Sequence, residues 1–352
     1  MKICFVLPRY SRRPIGGHKI VYEYANRLAD RGCEVFLLFI NDNTFVEYKI
    51  PEFLRPAAAS MMTQIEPRWF PLDKRIRKLS GTQNENIEVI SGMDVCVATG
   101  VETVAPCKQY FPKAKKLYLI QGYETWVFRE EEVHETYRAG FTNIVISDWL
   151  KKIVDTYGDK PSLVIQNPID LKVYYPVVPV EQRKAHSIGL LYHSGEHKGL
   201  KYSLEALNIL KRKYPDLEVF MFGTSKLKEE VPGLKQYIRD ASTMDTVKIY
   251  NRVSVFMCSS INEGYGLTGM EAMACGAALA STDYRAVYEY AINQENALLS
   301  PVRNAEAMAA NVSKLFDNEN ERYRIAGNGI RSLEKFSWDT AMEKFVSAME
   351  QV

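Results

Sequence analysis

The sequence predicts an α/β fold made of two doubly wound, Rossmann-like halves, each built on a parallel sheet. Three observations carry this expectation. Short apolar runs, rich in β-branched and aromatic residues, alternate with longer amphipathic stretches, as expected of strands covered on both faces by helices. The chain has 352 residues, more than a single core ordinarily organises, so two domains are expected. The alternation also breaks near the middle, where NPIDLKVYYPVVP (167–179) carries three prolines and no period.

In chain order, the strand candidates of the first half are ICFVLP (3–8), EVFLLFI (34–40), DVCVAT (94–99), KLYLIQ (116–121), NIVIS (143–147) and SLVIQ (162–166). Those of the second half are SIGLLY (187–192), LEVFMFG (217–223), VSVFMCS (253–259), AALAST (277–282) and ALLSP (297–301). Helices are expected over His18–Arg31, Asp148–Tyr157, Leu200–Tyr214 and Thr268–Cys275, with Gly32 and Gly276 where C-caps belong. Residues 42–90 give little regular signal. No repeat of 20–50 residues is evident, although the halves can still share a topology. Doubly wound sheets bind ligands beyond the carboxyl ends of their strands, so those loops are where site residues are sought.

Composition narrows the function classes. Hydrophobic residues make up 46% and charged residues 25%, which excludes wholesale disorder, collagen-like repeats and a multi-span membrane protein. The net charge is +2, with 23 basic and 21 acidic residues up to Asp170 and 22 of each beyond it. Such a balance gives no footprint for nucleic acid. The six cysteines (Cys4, Cys33, Cys96, Cys107, Cys258, Cys275) form no C-x-x-C pair and no metal-like spacing with the five histidines. They are expected to be reduced and largely buried. With no signal-like leader and no run long enough to span a bilayer, the expected location is the cytoplasm.

The most informative stretch is SSINEGYGLTGMEAMACG (259–276), which follows a strand and opens a helix. Gly264, Gly266 and Gly269 satisfy the dinucleotide pattern G-x-G-x-x-G, with Asp283 one strand later. Five residues separate these glycines from the strand, however, and the pattern sits deep in the second half. A second reading starts from the carboxylates Glu263 and Glu271. A glycine-led helix N-terminus offers N–H groups and positive dipole character to a diphosphate, and flanking acids accept from sugar and ribose hydroxyls. A third reading is structural, with Glu263 a helix-terminal acid and Glu271 a solvated helix residue.

The spacing of Glu263 and Glu271 within EGYGLTGMEAMACGAALAST resembles the signature of family 4 retaining glycosyltransferases. The resemblance continues through ENALLSP (295–301), through IVISDWLKKIV and NPID before the proline-rich break, and through PIGGHKIVYEYANRLADRGCEV (14–35). It implies the GT-B fold: two Rossmann-like domains facing across a cleft, with a C-terminal helix, here FSWDTAMEKFVSAME (336–350), crossing back to the first domain. The implied domains are an acceptor-side domain of residues 1–170 plus 338–352 and a nucleotide-sugar domain of residues 171–337.

Carried over residue by residue, the resemblance assigns the donor ribose to Glu271 and the transferred sugar to Glu263. Backbone N–H groups around Gly266, Leu267 and Thr268 would meet the diphosphate, and Lys198, in Lys198-Gly199, would neutralise the departing phosphate. His193 stands where the family usually has arginine, so it would bond the phosphate, be protonated beside it, or fill space. Gly16 and Gly17, read from sequence as a loop before a helix, would approach the donor phosphate or the acceptor. YLIQGYETW (118–126) is similar to a Gln-Asp-Tyr-Glu run of a rhamnosyltransferase-like branch, with Gly122 in place of Asp. There Gln121 would bond a sugar hydroxyl, and Glu124 would orient or deprotonate the acceptor, or be structural.

Further expectations concern the remaining groups. His18, His134, His186 and His197 read as solvated surface histidines; no Asp-x-Asp occurs, and neither a metal nor another cofactor is expected. Ser147 lacks the G-x-S-x-G context of a nucleophile. The basic, aromatic segment 68–79, with Arg9, Arg12 and Arg13, reads as a solvated loop, a peripheral contact with anionic lipid, or an oligosaccharide platform in which Trp69 and Phe70 stack on sugar rings. The implied activity is retaining transfer of a hexose or deoxyhexose from a nucleoside diphosphate sugar to a glycan or lipid-linked acceptor. A nicotinamide or flavin oxidoreductase, a non-catalytic nucleotide-sugar binder and an epimerase are the other classes left open.

Overall fold

The computed structural model describes residues 1–41, 50–81 and 84–351. These divide into two compact units, Met1–Gln166 with Asp339–Val352, and Asn167–Trp338. In the first unit the elements run β1 (Lys2–Leu7), α1 (Gly16–Asp30), β2 (Glu34–Phe39), α2 (Arg55–Ile65), β3 (Arg77–Ser80), α3 (Asn84–Ser91), β4 (Val95–Ala98), α4 (Val101–Tyr110), β5 (Lys115–Ile120), α5 (Glu130–Tyr137), β6 (Thr142–Val145), α6 (Asp148–Tyr157) and β7 (Leu163–Val164). Its strands form one parallel sheet in the order β3-β2-β1-β4-β5-β6-β7.

The second unit holds β8 (Lys184–Tyr192), α7 (Leu200–Lys213), β9 (Glu218–Gly223), β10 (Leu234–Arg239), α8 (Thr243–Arg252), β11 (Val253–Cys258), α9 (Leu267–Ala274), β12 (Ala278–Thr282), β13 (Ala297–Ser300), α10 (Ala305–Asp317) and α11 (Glu319–Ser332). Its parallel sheet has the order β10-β9-β8-β11-β12-β13. Strand periodicity decides the two faces. Ile188, Leu190, Val219, Met221, Val255 and Met257 share one cluster with Leu207 and Leu210 of α7 and Val312 and Leu315 of α10. Phe222, Tyr250 of α8 and Phe256 meet in another aromatic contact.

The last helix, α12 (Trp338–Gln351), enters the first unit from Asp339 onward. Phe345 lies between Tyr24 of α1 and Phe5 of β1, at 4.5 and 6.0 Å between ring centroids. Lys115 donates to the Met349 and Glu350 carbonyls at 3.3 and 3.1 Å, satisfying groups that a helix end leaves open. Within the second unit, the Ile169 N–H bonds the Phe336 carbonyl at 2.9 Å. The proline-rich segment is held there too: Asn251 accepts from Val177 N–H and donates to the Tyr175 carbonyl. Arg183, buried, donates to the carbonyls of Val178, Tyr250, Val253 and Cys275.

Two strands depart from the sequence reading, and both are edges. β3 (RKLS) and β10 (LKQYIR) carry charge, which blunts an exposed edge and erases the apolar run that marks inner strands. The stretch 42–90 is also more regular than expected. It contains α2, β3 and α3, while 42–49 and 82–83 lie outside the described residues. No helix among the described residues is long and apolar enough to cross a membrane. All six cysteines are unpaired, and all but Cys33 are buried.

Candidate functional site

In the second unit the strand order reverses between β8 and β11, the switch point beside which doubly wound sheets bind ligands at their carboxyl ends. The two loops are clamped together. Ile261 and Asn262 N–H groups both donate to the His197 carbonyl, at 2.7 and 3.2 Å, and the Ser259 hydroxyl donates to the Gly199 carbonyl at 2.9 Å. Gly199 has φ 62°, and a Cβ there would lie 2.0 Å from the Ser259 carbonyl oxygen, so glycine is required.

This clamp brings together two residues singled out from sequence. Lys198 Nζ lies 3.0 Å from Glu263 Oε2, with the side chains 22% and 8% exposed. The other carboxylate oxygen, Oε1, accepts from the Ser260 hydroxyl. Ammonium and carboxylate thus form a largely desolvated pair, which removal of either partner would leave uncompensated.

The glycine-led turn then enters α9. Gly266, the residue before the helix, has φ 93°. A Cβ there would fall 1.9 Å from the Tyr284 hydroxyl, and one at Gly269 would fall 2.7 Å from the Tyr290 hydroxyl. The two tyrosines bond one another at 2.7 Å, and Tyr290 donates to the Gly266 carbonyl at 2.9 Å. The turn is thereby fixed, and the first N–H groups of α9, from Leu267 and Thr268, have no partner within the helix. Glu271 is not a solvated helix residue: it is buried and accepts from the Tyr250 hydroxyl at 2.9 Å. The glycine triplet likewise differs from a dinucleotide turn, since Ser259 to Glu263 separate it from β11 and Gly269 lies inside α9.

His193, the first residue after β8, uses Nδ1 to accept the Gly195 N–H at 2.9 Å. Burial lowers its pKa, helped by the Lys198 and His197 charges and opposed by Glu263. Without a ligand these groups favour the neutral ring, with its proton assigned to Nε2, whereas an adjacent phosphate would act in the opposite sense. Ser260, Tyr250, Tyr284 and Tyr290 were not singled out from sequence. Ser260 lay inside the motif, but the tyrosines carry no short-range signal.

In the first unit the order reverses between β1 and β4. Gly16 and Gly17 are not a loop before the helix but its first turn, following Ile15. A Cβ at Gly17 would meet the Gln121 amide at 3.3 Å, so the sequence candidates Gly17 and Gln121 are neighbours. Glu124 Oε2 accepts the Val101 N–H at 3.2 Å, at the start of α4. Desolvation raises its pKa to about 7 against that stabilising N–H, with the Glu102 charge adding to the rise. Near neutrality it is poised to take up or release a proton. Trp126 was not foreseen. Its indole is 61% exposed, and its ring edge lies over Gly122, where a Cβ would fall 2.9 Å from Cη2.

The basic, aromatic segment is largely committed to the fold. Phe70 is buried and Trp69 donates to the Ser11 carbonyl at 2.9 Å while packing on Tyr22. Arg75 is paired with Asp73 and Asp30, and Lys78 donates to the Gln64 and Glu66 carbonyls. Of the four histidines read as solvated, only His197 is exposed. His134 is buried and stacked on Tyr157, His186 packs on Tyr214 and Phe316, and His18 bonds the Arg9 carbonyl at 2.9 Å. Among the described residues no three His, Cys, Asp or Glu side chains gather as a metal would require.

Residues 187–332 match the family described as glycosyl transferases group 1. Over 206 residues the chain is 23% identical to an uncharacterized glycosyltransferase of Methanocaldococcus jannaschii, covering 56% of this chain and 55% of the relative. It is 26% identical over 172 residues to a lipopolysaccharide core biosynthesis mannosyltransferase of Rhizobium leguminosarum, covering 44% and 49%. It is 22% identical over 219 residues to a phosphatidyl-myo-inositol mannosyltransferase of Mycolicibacterium smegmatis, covering 59% and 57%. The chain thus spans about half the length of these curated relatives. Among solved structures, Anabaena HepE in complex with UDP and glucose superposes with a TM-score of 0.76 at 14% identity over 100% of both chains. A sucrose-phosphate synthase from Thermosynechococcus elongatus superposes with a TM-score of 0.74 at 15% identity, over 99% and 98%. The fold is the GT-B fold expected from sequence.

Proposed function

We propose that the protein is a retaining glycosyltransferase that moves a hexose or deoxyhexose from a nucleoside diphosphate sugar to a glycan or lipid-linked acceptor. The observation that carries this is the Lys198–Glu263 pair beside the open N-terminus of α9, inside the segment that matches the group 1 family. An ammonium and free helix N–H groups suit a diphosphate, and the developing charge on the leaving group is where they act. The neutral His193 supplies a further Nε2–H donor without adding charge. Glu263, steadied by Lys198 and Ser260, accepts from the transferred sugar, and Glu271 accepts from the ribose.

In this reading the transfer is a front-face displacement. The bond from the anomeric carbon to the diphosphate breaks while the acceptor oxygen bonds the same face, and the leaving phosphate assists removal of the hydroxyl proton. Gln121 and Glu124 serve the acceptor, Glu124 orienting its hydroxyl or, near its midpoint, taking the proton in place of the phosphate. The reaction needs no metal, because the local cation and the helix end carry the charge, and the expected setting is cytoplasmic.

The test is a thermal-shift series with UDP, GDP, dTDP and their sugars on the full chain. A ligand held at a hundred times its dissociation constant raises stability by about 2.7 kcal/mol. A shift with one nucleotide, lost in Glu271→Ala, supports the reading; no shift with any of them overturns it. NAD or flavin stabilising the protein instead would favour the oxidoreductase class.

A further inference from the structure

We propose that the outer face of α2 is a docking surface for an anionic lipid bilayer. Phe53, Ala57, Met61 and Ile65 recur at four-residue spacing, which places them along one side of the helix and the single turn leading into it. All four are exposed, Phe53 at 80% and Met61 at 60%, and Leu54 extends the patch at 46%. The opposite side does the packing: Ala59 and Thr63 are buried, and the Thr63 hydroxyl accepts from Asn41 at 3.1 Å. Gln64, exposed at the margin of the stripe, donates to the Lys78 carbonyl at 2.8 Å. Helices of globular proteins place such residues inward; here an apolar stripe roughly 18 Å long faces outward.

Charge decides which occupant fits. Residues 50–81 carry six basic and three acidic side chains, a surplus of three where the whole chain carries +2. Of the bases, Arg75 is itself paired with Asp73 and Asp30 and Lys78 bonds backbone carbonyls, while Arg68, Lys74 and Arg77 are exposed. Of the acids, Glu66 is buried, Asp73 is paired with Arg75, and only Glu52 is exposed, at the Phe53 end. At the Ile65 end, the Arg12 side chain is 69% exposed, 3.9 Å from Glu66 Oε1, and Arg68 is exposed beside it. An apolar helix face with cations at its margin suits the acyl–headgroup boundary of an anionic membrane, where the stripe enters the bilayer and the guanidiniums stay among the phosphates. This moves the lipid contact from segment 68–79, whose aromatic residues are held in the fold, to the helix before it.

The surface is independent of the nucleotide site, so the two readings fail separately. The full-length protein is sedimented with phosphatidylcholine vesicles, and with vesicles of equimolar phosphatidylcholine and phosphatidylglycerol. The wild type is expected to co-sediment with the anionic vesicles, less as salt rises, and to stay behind with the neutral ones. Met61→Glu and Phe53→Ser should each weaken vesicle binding about tenfold. Arg68→Ala and Arg12→Ala should each weaken it about fivefold. Melting temperature and nucleotide-induced shift should stay at wild-type values in Met61→Glu and Phe53→Ser, since both side chains face outward. No binding to anionic vesicles, or equal binding by Met61→Glu, overturns the proposal. So does a concentration-dependent dimer that Met61→Glu dissolves, which would make a second copy the occupant.

Discussion

The carboxyl ends of the two sheets invite comparison, because, with strands numbered within each unit, the second sheet has the order 3-2-1-4-5-6 and the first repeats it with a seventh strand added. Each reverses direction beside its first strand, and each has its switch point there. What stands at the two switch points differs. The β8/β11 end is locked by a forced glycine, cross-loop hydrogen bonds and the Lys198–Glu263 pair. The β1/β4 end has an open helix start at Gly16, an amide at Gln121 and a carboxyl group at Glu124 that burial makes reluctant to ionise. One topology thus yields a charged end tied by cross-loop bonds and a polar end of amide and carboxyl groups, which the proposed transfer would use for the anion and for the acceptor.

The comparison breaks most visibly at Lys198. Under the proposed transfer, Lys198→Ala removes a cation from the leaving group, and it leaves Glu263 without its ion-pair partner. Losing one such contact costs about 3–4 kcal/mol of barrier, or roughly 10²–10³ in turnover. Glu271→Ala should act differently, weakening donor binding and depriving the buried Tyr250 hydroxyl of an acceptor at a cost of about 1–3 kcal/mol in stability. Steady-state kinetics with donor titration separates the two. Full transfer by both variants would remove the second unit from the chemistry.

A middle-sized effect concerns pH at the other end. If Glu124 takes the acceptor proton, kcat/KM should rise with pH through about 7, and Glu124→Gln should lower activity and erase that limb. Stability moves the opposite way. The folded chain holds a proton on Glu124 that the unfolded chain releases near pH 4.5. Stability is therefore higher at low pH and falls between about 4.5 and 7, and Glu124→Gln should flatten that slope. A pH–rate limb that survives in Glu124→Gln would leave Glu124 a structural cap on α4.

Much of this contrast was legible in the sequence, and the rest was hidden for physical reasons. Inner strands announce themselves because both their faces are buried; β3 and β10 did not, because these two edges carry charge, unlike the short apolar edges β7 and β13. Glu263, Lys198 and the glycines at 264–269 were visible as residue types in a pattern. That Lys198 pairs with Glu263 was not, since the contact depends on how two distant loops meet. Tyr284 and Tyr290 act by occupying the space a Cβ would need at Gly266 and Gly269, which no spacing encodes. The histidines failed likewise: His134 looks like any polar helix residue until Tyr157 is seen stacked on it.

The smallest expected effect tests the polar end, at Gly122. Trp126 is the exposed aromatic ring closest in sequence to Gln121 and Glu124, and its edge rests where a Cβ at 122 would stand. Gly122 therefore makes room for the ring, and under the proposed transfer this exposed residue is a candidate to pack on the CH groups of an acceptor sugar. Gly122 does not have a positive φ, so Gly122→Ala strains no backbone, and only the far end of a flexible side chain must move. Melting temperature should change by no more than about 2 °C. Donor KM should hold while acceptor KM rises several-fold, and Trp126→Ala should do the same. Both variants leaving acceptor KM untouched would take the indole out of acceptor binding and leave Gln121 and Glu124 to define that end alone.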